Sequence, residues 1–326
     1  MQETRHHAPR VVIIGAGAVG GAYAAALLWT GQAAEIVLLD QDTARATSVA
    51  RDLIAAASFA PPARVWVGGG ADCAGAALTV LTAGVAPGSP ARPADLARET
   101  SALVRQMAPQ VARHNPHGLL LIATDPVDAL TYAAVMLSGL PARQVIGSGT
   151  IVETARFRAV LGAHCGVDPR DVQAFIVGAH GASVVPVWSS ATIAGVPLVR
   201  YCAAHGIPDD ETVQADLAGH GQAPARADQP EHPIHAVVAG LIRITTAILR
   251  AQCTVLTVSS LIEDDGHNDG SASQCLSVPT VVDQSGVARV LRRVLSPQER
   301  ERLRHAAGVL RVGIAALALE ERGTLR

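Results

Sequence analysis

The sequence predicts an α/β protein: a doubly wound parallel sheet followed by a C-terminal mixed α/β domain. Three observations carry that expectation. Short apolar runs at Val11–Ile14, Glu35–Leu39, Ala77–Leu81 and Leu119–Ile122 read as strands buried on both faces. Glycine turns and helical stretches separate them, as the crossovers between parallel strands require. After about residue 147 helices mix with short strands, so the expected parts are residues 1–147 and 148–326.

Composition sets the bounds. At 326 residues, 49% hydrophobic and 17% charged, the chain has room for two lobes and is too apolar for wholesale disorder. No uninterrupted apolar run approaches the ~20 residues of a membrane helix. The opening Met1–Arg10 stretch lacks an apolar signal core, so a cytoplasmic protein is expected. A net charge of −2 gives no reason to expect nucleic acid or an anionic membrane as partner. All 26 basic residues are arginine, which excludes lysine Schiff-base chemistry. The cysteines, Cys73, Cys165, Cys202, Cys253 and Cys275, are odd in number and lack CxxC spacing. They read as reduced, mostly buried thiols rather than a disulfide framework or zinc site.

Taken in order, the first strand runs into Gly15-Ala16-Gly17-Ala18-Val19-Gly20-Gly21, a helical stretch from Ala22 to Thr30 stopped by Gly31, and a second strand ending at Asp40. Strand, glycine turn, helix, strand and acid form the context a dinucleotide fingerprint needs. Gly15 permits the tight turn, Gly17 lets a pyrophosphate approach the backbone, and Gly20 allows close helix–strand packing. The helix N-terminus favours phosphate charge. Asp40, twenty residues after Gly20, is placed to accept from a ribose and to repel a 2′-phosphate, which favours NAD over NADP. The third and fourth strands end in Thr82-Ala83-Gly84 and Thr124-Asp125-Pro126-Val127-Asp128, where a parallel sheet meets its ligand. Thr82, Ala83, Gly84 and Thr124 are therefore candidate cofactor contacts. Between these strands Val85–Pro93, rich in proline, glycine and alanine and containing Arg92, reads as a lid loop.

In the second half, Gly147-Ser148-Gly149-Thr150 leads into a stretch with Glu153 and Arg156 three residues apart, on one helix face. Downstream, an apolar strand delivers His180 into a glycine-flanked turn. An acid–base imidazole, a carboxylate to orient it and an arginine to grip an anion make a hydride-transfer site. The alternative is a buried histidine with a structural ion pair. Leu276–Val282 and Val287–Val290 read as a hairpin across Asp283–Gly286. Ser296-Pro297-Gln298-Glu299 is a capping box, opening a helix with Leu303, Ala307, Leu310, Ile314 and Leu317 at core spacing. The stretch 203–235, with Pro208, Pro224, Pro230 and Pro233, predicts a broken helix or flexible segment.

Together these segments resemble the L-lactate/malate dehydrogenase family along nearly the whole chain. The shared set is the glycine turn with Asp40, Thr82–Gly84, Asp125–Asp128, Gly147–Thr150, Ala155-Arg156-Phe157 and Gly178-Ala179-His180-Gly181, in the family's order. The resemblance implies a Rossmann-type NAD domain joined to a mixed α/β catalytic domain, assembled as a homodimer or homotetramer. It implies that His180 gives a proton to the ketone oxygen of a small 2-oxo carboxylate, and takes it back from the 2-hydroxy acid. Glu153 stands where the family has aspartate and would fix the imidazole tautomer, while Arg156 would hold the substrate carboxylate bidentately. Asp125 replaces an asparagine that contacts substrate and cofactor. An ionised group there would repel a bound carboxylate, so Asp125 is expected to be protonated or to meet something cationic or hydroxylated. The family's carbonyl-polarising arginine falls on Pro93, with Arg92 one residue early, and its specificity residue falls on Pro87. Pro233-Ile234-His235 replaces the stretch that supplies a small pocket residue, and His232 and His235 read either as pocket lining or as a solvated pair. No metal is expected, because His220, His232 and His235 lie in a loosely structured stretch. The expected function is NAD-dependent oxidation–reduction of a non-standard 2-hydroxy/2-oxo acid; the alternative is a non-catalytic or regulatory NAD-binding homologue.

Overall fold

The computed structural model describes residues 9–84, 93–181, 183–209, 214, 234–262, 273–291 and 295–317. The first half holds β1 (Arg10–Ile14), α1 (Ala18–Thr30), β2 (Glu35–Leu39), α2 (Thr43–Ala56), β3 (Arg64–Val67), β4 (Leu78–Leu81), α3 (Pro93–His114), β5 (Leu119–Ile122), α4 (Val127–Ser138) and β6 (Val145–Gly147). The second holds α5 (Ile151–Cys165), β7 (Val172–Ala179), β8 (Ser183–Ile193), β9 (Val196–Pro197), α6 (Leu198–His205), α7 (Ile234–Leu249), β10 (Thr254–Ile262), β11 (Gln274–Asp283), β12 (Gly286–Val290) and α8 (Pro297–Ala316).

The doubly wound sheet is present, with β1 to β6 parallel in the order β3-β2-β1-β4-β5-β6. The winding reverses between β1 and β4, and a crevice opens at their carboxyl ends. Apolar residues on both faces of β1 explain why it is central. Val11 and Ile13 pack towards α1 and α7, whereas Val12 and Ile14 pack towards α3, α4 and α8. All four are at most 5% exposed. Burying each such side chain contributes roughly 1.5–3 kcal/mol, so a polar substitution there would open the crevice floor.

The sheet does not end at β6. Gly147 of β6 pairs antiparallel with Ser259 of β10, Ser259 with Ser277 of β11, and Ser277 with Gly178 of β7. This row of small residues crosses four strands. A Cβ on Gly147 would lie 2.2 Å from the Thr131 hydroxyl of α4, so glycine is what lets that helix approach. The hairpin β11–β12 forms as expected, and α8 starts at the Ser296–Glu299 capping box. Ala307, Leu310 and Ile314 of α8 are buried, with Leu303 and Leu317 packed beside them.

One boundary differs from the expectation. α1 begins at Ala18, because Gly17 acts as its N-cap and Gly20 and Gly21 lie inside the helix. The glycine run reads as a turn by propensity, but close packing on β4 overrides it. A Cβ at Gly20 would sit 1.8 Å from the Gly15 carbonyl oxygen and 2.6 Å from the Thr82 hydroxyl. Val85 to Arg92 of the expected lid lie outside the described residues, and Pro93 opens α3. Most of the stretch 203–235 also lies outside them, including His220 and His232, while α6 ends at Gly206 in left-handed conformation. All cysteines are free thiols, four buried and Cys253 exposed. No helix among the described residues is long and apolar enough to cross a membrane.

Candidate active site

The crevice is built from the ends of β1, β2, β4 and β5. Gly17 precedes α1 with no side-chain cap, and a Cβ there would meet nothing within 4 Å, so the helix N-terminus is open to a ligand. Backbone N–H groups left unpaired at a helix start are a ready anion site. Asp40 accepts from the Ala16 N–H at 2.7 Å and the Asp42 N–H at 2.9 Å. It thereby fixes the glycine turn and keeps a carboxylate at the crevice rim. The exposed Arg45 stands 3.9 Å from Asp40 and 3.2 Å from Asp42. One guanidinium between two carboxylates leaves this rim unfavourable for a 2′-phosphate. The Thr82 hydroxyl donates to the Gly15 carbonyl at 2.8 Å, and that of Thr124 to the Ala83 carbonyl at 2.9 Å. Both threonines therefore brace the strand ends with Ala83 and Gly84 between them. The open helix start and the rim carboxylate fit an adenine dinucleotide.

The second set of residues converges where β7 ends. Thr150, just before α5, donates its hydroxyl to the Ile176 carbonyl at 2.6 Å, and the Ile176 N–H donates to the Thr154 hydroxyl at 3.0 Å. These bonds pin α5 to β7 four residues before His180, so Glu153 lies against the turn. Phe157, fully buried and edge-on to Trp188 at 4.9 Å, secures the helix one turn further along.

His180 is held on both ring nitrogens. Nδ1 lies 2.6 Å from Glu153 Oε1, and Nε2 lies 3.4 Å from Asp125 Oδ1. Glu153 is buried, whereas the imidazole is about one-third exposed and Asp125 is 75% exposed. Burial alone would lower the His180 pKa. The hydrogen bond to Glu153 and the charges of Asp125, Glu153 and Asp128 outweigh it and raise the value to about 9. Burial would likewise raise Glu153, but His180 and the Arg156 charge hold it below the usual carboxylate range. The longer Glu153 thus reaches the imidazole without difficulty. Arg156, half-buried one helical turn on, has no carboxylate in ion-pair range among the described residues.

Asp125 lies with Oδ1 3.4 Å from His180 Nε2, so one cationic group within its reach is the imidazolium itself. Arg92, His232 and Pro87 lie outside the described residues, and His235 is exposed near the start of α7. Among the described residues no cluster of metal-ligating side chains occurs.

Asp128, to which its place in the sequence assigns no role, completes the site. Fully enclosed in the first turn of α4, it accepts from the His180 main-chain N–H at 2.6 Å and from the Ser277 hydroxyl at 2.9 Å. The available signal was a second aspartate three residues after Asp125, in a helix start that opens on the crevice.

Fold and site define a dinucleotide-binding α/β protein with an imidazole–carboxylate dyad and, on the same helix as the carboxylate, a guanidinium in ion-pair range of no carboxylate among the described residues. Residues 9–147 match the model of the lactate/malate dehydrogenase NAD binding domain, and residues 150–320 that of the lactate/malate dehydrogenase alpha/beta C-terminal domain. The chain is 38% identical over 312 residues to an L-lactate dehydrogenase of Moorella thermoacetica, covering 95% of this chain and 98% of that one. It is also 38% identical over 308 residues to an L-lactate dehydrogenase of Bacillus caldolyticus, covering 94% and 96%. The crystal structure of the minor L-lactate dehydrogenase from Enterococcus mundtii in its ligands-bound form superposes with a TM-score of 0.88 at 32% identity, covering 97% and 99%. The chain belongs to the lactate/malate dehydrogenase family, and its cofactor is NAD.

Proposed function

We propose that this chain is an NAD-dependent dehydrogenase of a 2-hydroxy/2-oxo carboxylate other than plain lactate or malate, with His180 as proton donor and acceptor. The observation that carries the reading is the 2.6 Å contact of His180 Nδ1 with buried Glu153, which turns Nε2 towards the exposed Asp125, 3.4 Å away. Gly17 and the open start of α1 would take the pyrophosphate, with Gly15 and Gly20 shaping the turn that exposes them. Asp40 would hold the ribose, and Thr82, Ala83, Gly84 and Thr124 would line the crevice side of the cofactor. When bound, the nicotinamide supplies or accepts the hydride at the substrate's C2. His180 Nε2 releases its proton to the C2 oxygen in reduction and recovers it in oxidation, while Glu153 stabilises the imidazolium and fixes the tautomer. Arg156 holds the substrate carboxylate through its planar fork. Arg92 is assigned to the carbonyl on its place in the sequence alone.

Asp125 sets the substrate apart. Its carboxylate competes with the C2 oxygen for the Nε2 proton, and it repels a second negative charge brought close to Arg156. A division of labour between residues 1–147 and 148–326 is supported by the bounds of the two family models. Residence in the cytoplasm rests on the free thiols, and assembly as a homodimer or homotetramer on the family.

Steady-state turnover of NADH with a panel of 2-oxo acids tests the reading. His180→Ala is expected to lose roughly 10²–10⁴-fold in kcat while its NADH Kd stays at the parent value. A parent chain that binds NADH but reduces no member of the panel would instead favour a regulatory NAD-binding protein.

A further inference from the structure

We infer that Asp128 is a positioning residue for the reaction: through the main chain of His180 it fixes the turn that carries the imidazole, and as a buried anion it holds the proton on that ring. The observation is a closed polar cluster beneath the catalytic turn. Asp128 is 3% exposed, and Ser277, in the row Gly147–Ser259–Ser277–Gly178 that crosses four strands, is fully buried.

Both carboxylate oxygens face donors. Oδ2 takes the His180 N–H and Oδ1 the Ser277 hydroxyl. The Ser259 hydroxyl faces the group as well, outside strict hydrogen-bond geometry. An ionised carboxylate only accepts, so this set of partners matches the charged form. The first turn of α4 adds its dipole in the same sense. Burial pushes the Asp128 pKa above the ordinary carboxylate value, and the Ser259, His180 and Ser277 donors and the His180 charge offset that only in part. The titratable groups facing Asp128 are His180 on the β7 turn and Cys275 on β11, whose thiol is pushed well up by burial and by Asp128. Glu153 and Asp125 act on the other side, through the ring of His180. Asp128 reaches neither ring nitrogen, so its effect passes through the backbone bond and through its field.

Asp128 also joins the two halves of the molecule. It belongs to the helix that follows β5, whereas the amide it holds ends β7 and the hydroxyl it takes lies on β11. Beside the β6–β10 pairing, this side chain thus ties the crevice to the proton donor.

The test uses the full-length protein with NADH and whichever 2-oxo acid it reduces. Asp128→Asn keeps the shape and an acceptor for the amide but removes the charge. It is expected to move the basic limb of the kcat/KM profile to lower pH, and to reduce kcat while the substrate KM stays near the parent value. Asp128→Glu restores the charge in a worse-fitting side chain and should return the limb towards its parent position even if kcat stays low. A limb unmoved in Asp128→Asn, or moved equally by both substitutions, would overturn the inference. If Asp128→Asn does not fold, Ser277→Ala decides, because it withdraws one donor from the carboxylate. A several-fold lower kcat at unaltered KM supports the inference, and a parent-like kcat overturns it.

Discussion

At the scale of single residues, the protonation of His180 governs when the site can work. With carboxylates on both ring nitrogens and a pKa raised to about 9, the free enzyme carries an imidazolium throughout the neutral range. Reduction needs that form, so kcat/KM for a 2-oxo acid should stay level through neutral pH and decline above about 9. Oxidation of the 2-hydroxy acid needs the neutral ring and should gain rate over the same interval. The same sign applies to stability. A histidine whose folded pKa exceeds its unfolded value stabilises fully below the unfolded pKa, and that contribution fades as pH rises through about 9. Asp125→Asn removes the exposed carboxylate from Nε2. Its basic limb is expected at lower pH than the parent's, with a substrate profile shifted towards simple 2-oxo acids. A pH series across the panel checks both, and an unchanged limb and profile would detach Asp125 from the proton donor.

At the scale of elements, α8 shows how a surface helix is bound to the catalytic half. Ser296 and Glu299 cap its first turn reciprocally, at 3.2 and 2.8 Å, while the Glu299 carboxylate also accepts from the Ser189 N–H at 2.9 Å and its hydroxyl at 2.5 Å. Ser296→Ala should cost about 1 kcal/mol in urea unfolding, the usual loss of an N-cap. Burial would raise Glu299, but its donors prevail and hold it below the ordinary carboxylate range. Its share of stability is present above that range and is lost as pH falls through the depressed folded value. This box was legible because its residues are neighbours in sequence. So were β1, β2, β4 and β5, whose apolar runs answer to burial on both faces. By contrast β3 is a four-residue strand that opens on an exposed arginine, and β6 is three residues long and ends in glycine, so neither leaves a pattern. Glu153 and Arg156 could be found from helical spacing. Asp125 and Asp128 share that spacing, but the role of Asp128 was hidden because its partners lie 52 and 149 residues away along the chain.

At the scale of the whole molecule, the cofactor crevice should act as a stabilising ligand site. A ligand bound only by the folded state adds RT ln(1 + [L]/Kd), about 2.7 kcal/mol at a hundred times Kd. NADH is therefore expected to raise the melting temperature in a thermal scan. NADPH at equal concentration should raise it far less, because Asp40 and Asp42 outnumber Arg45 at the rim. Equal shifts would remove the assigned role of Asp40. The pairing of β6 with β10 has its own consequence for motion. Because one hydrogen-bonded ladder runs from the cofactor strands into the catalytic strands, a swivel of one half against the other would have to tear it. Shielding the substrate from water falls to local chain segments and side chains, and the overall dimensions of the protomer should be the same with and without bound ligand.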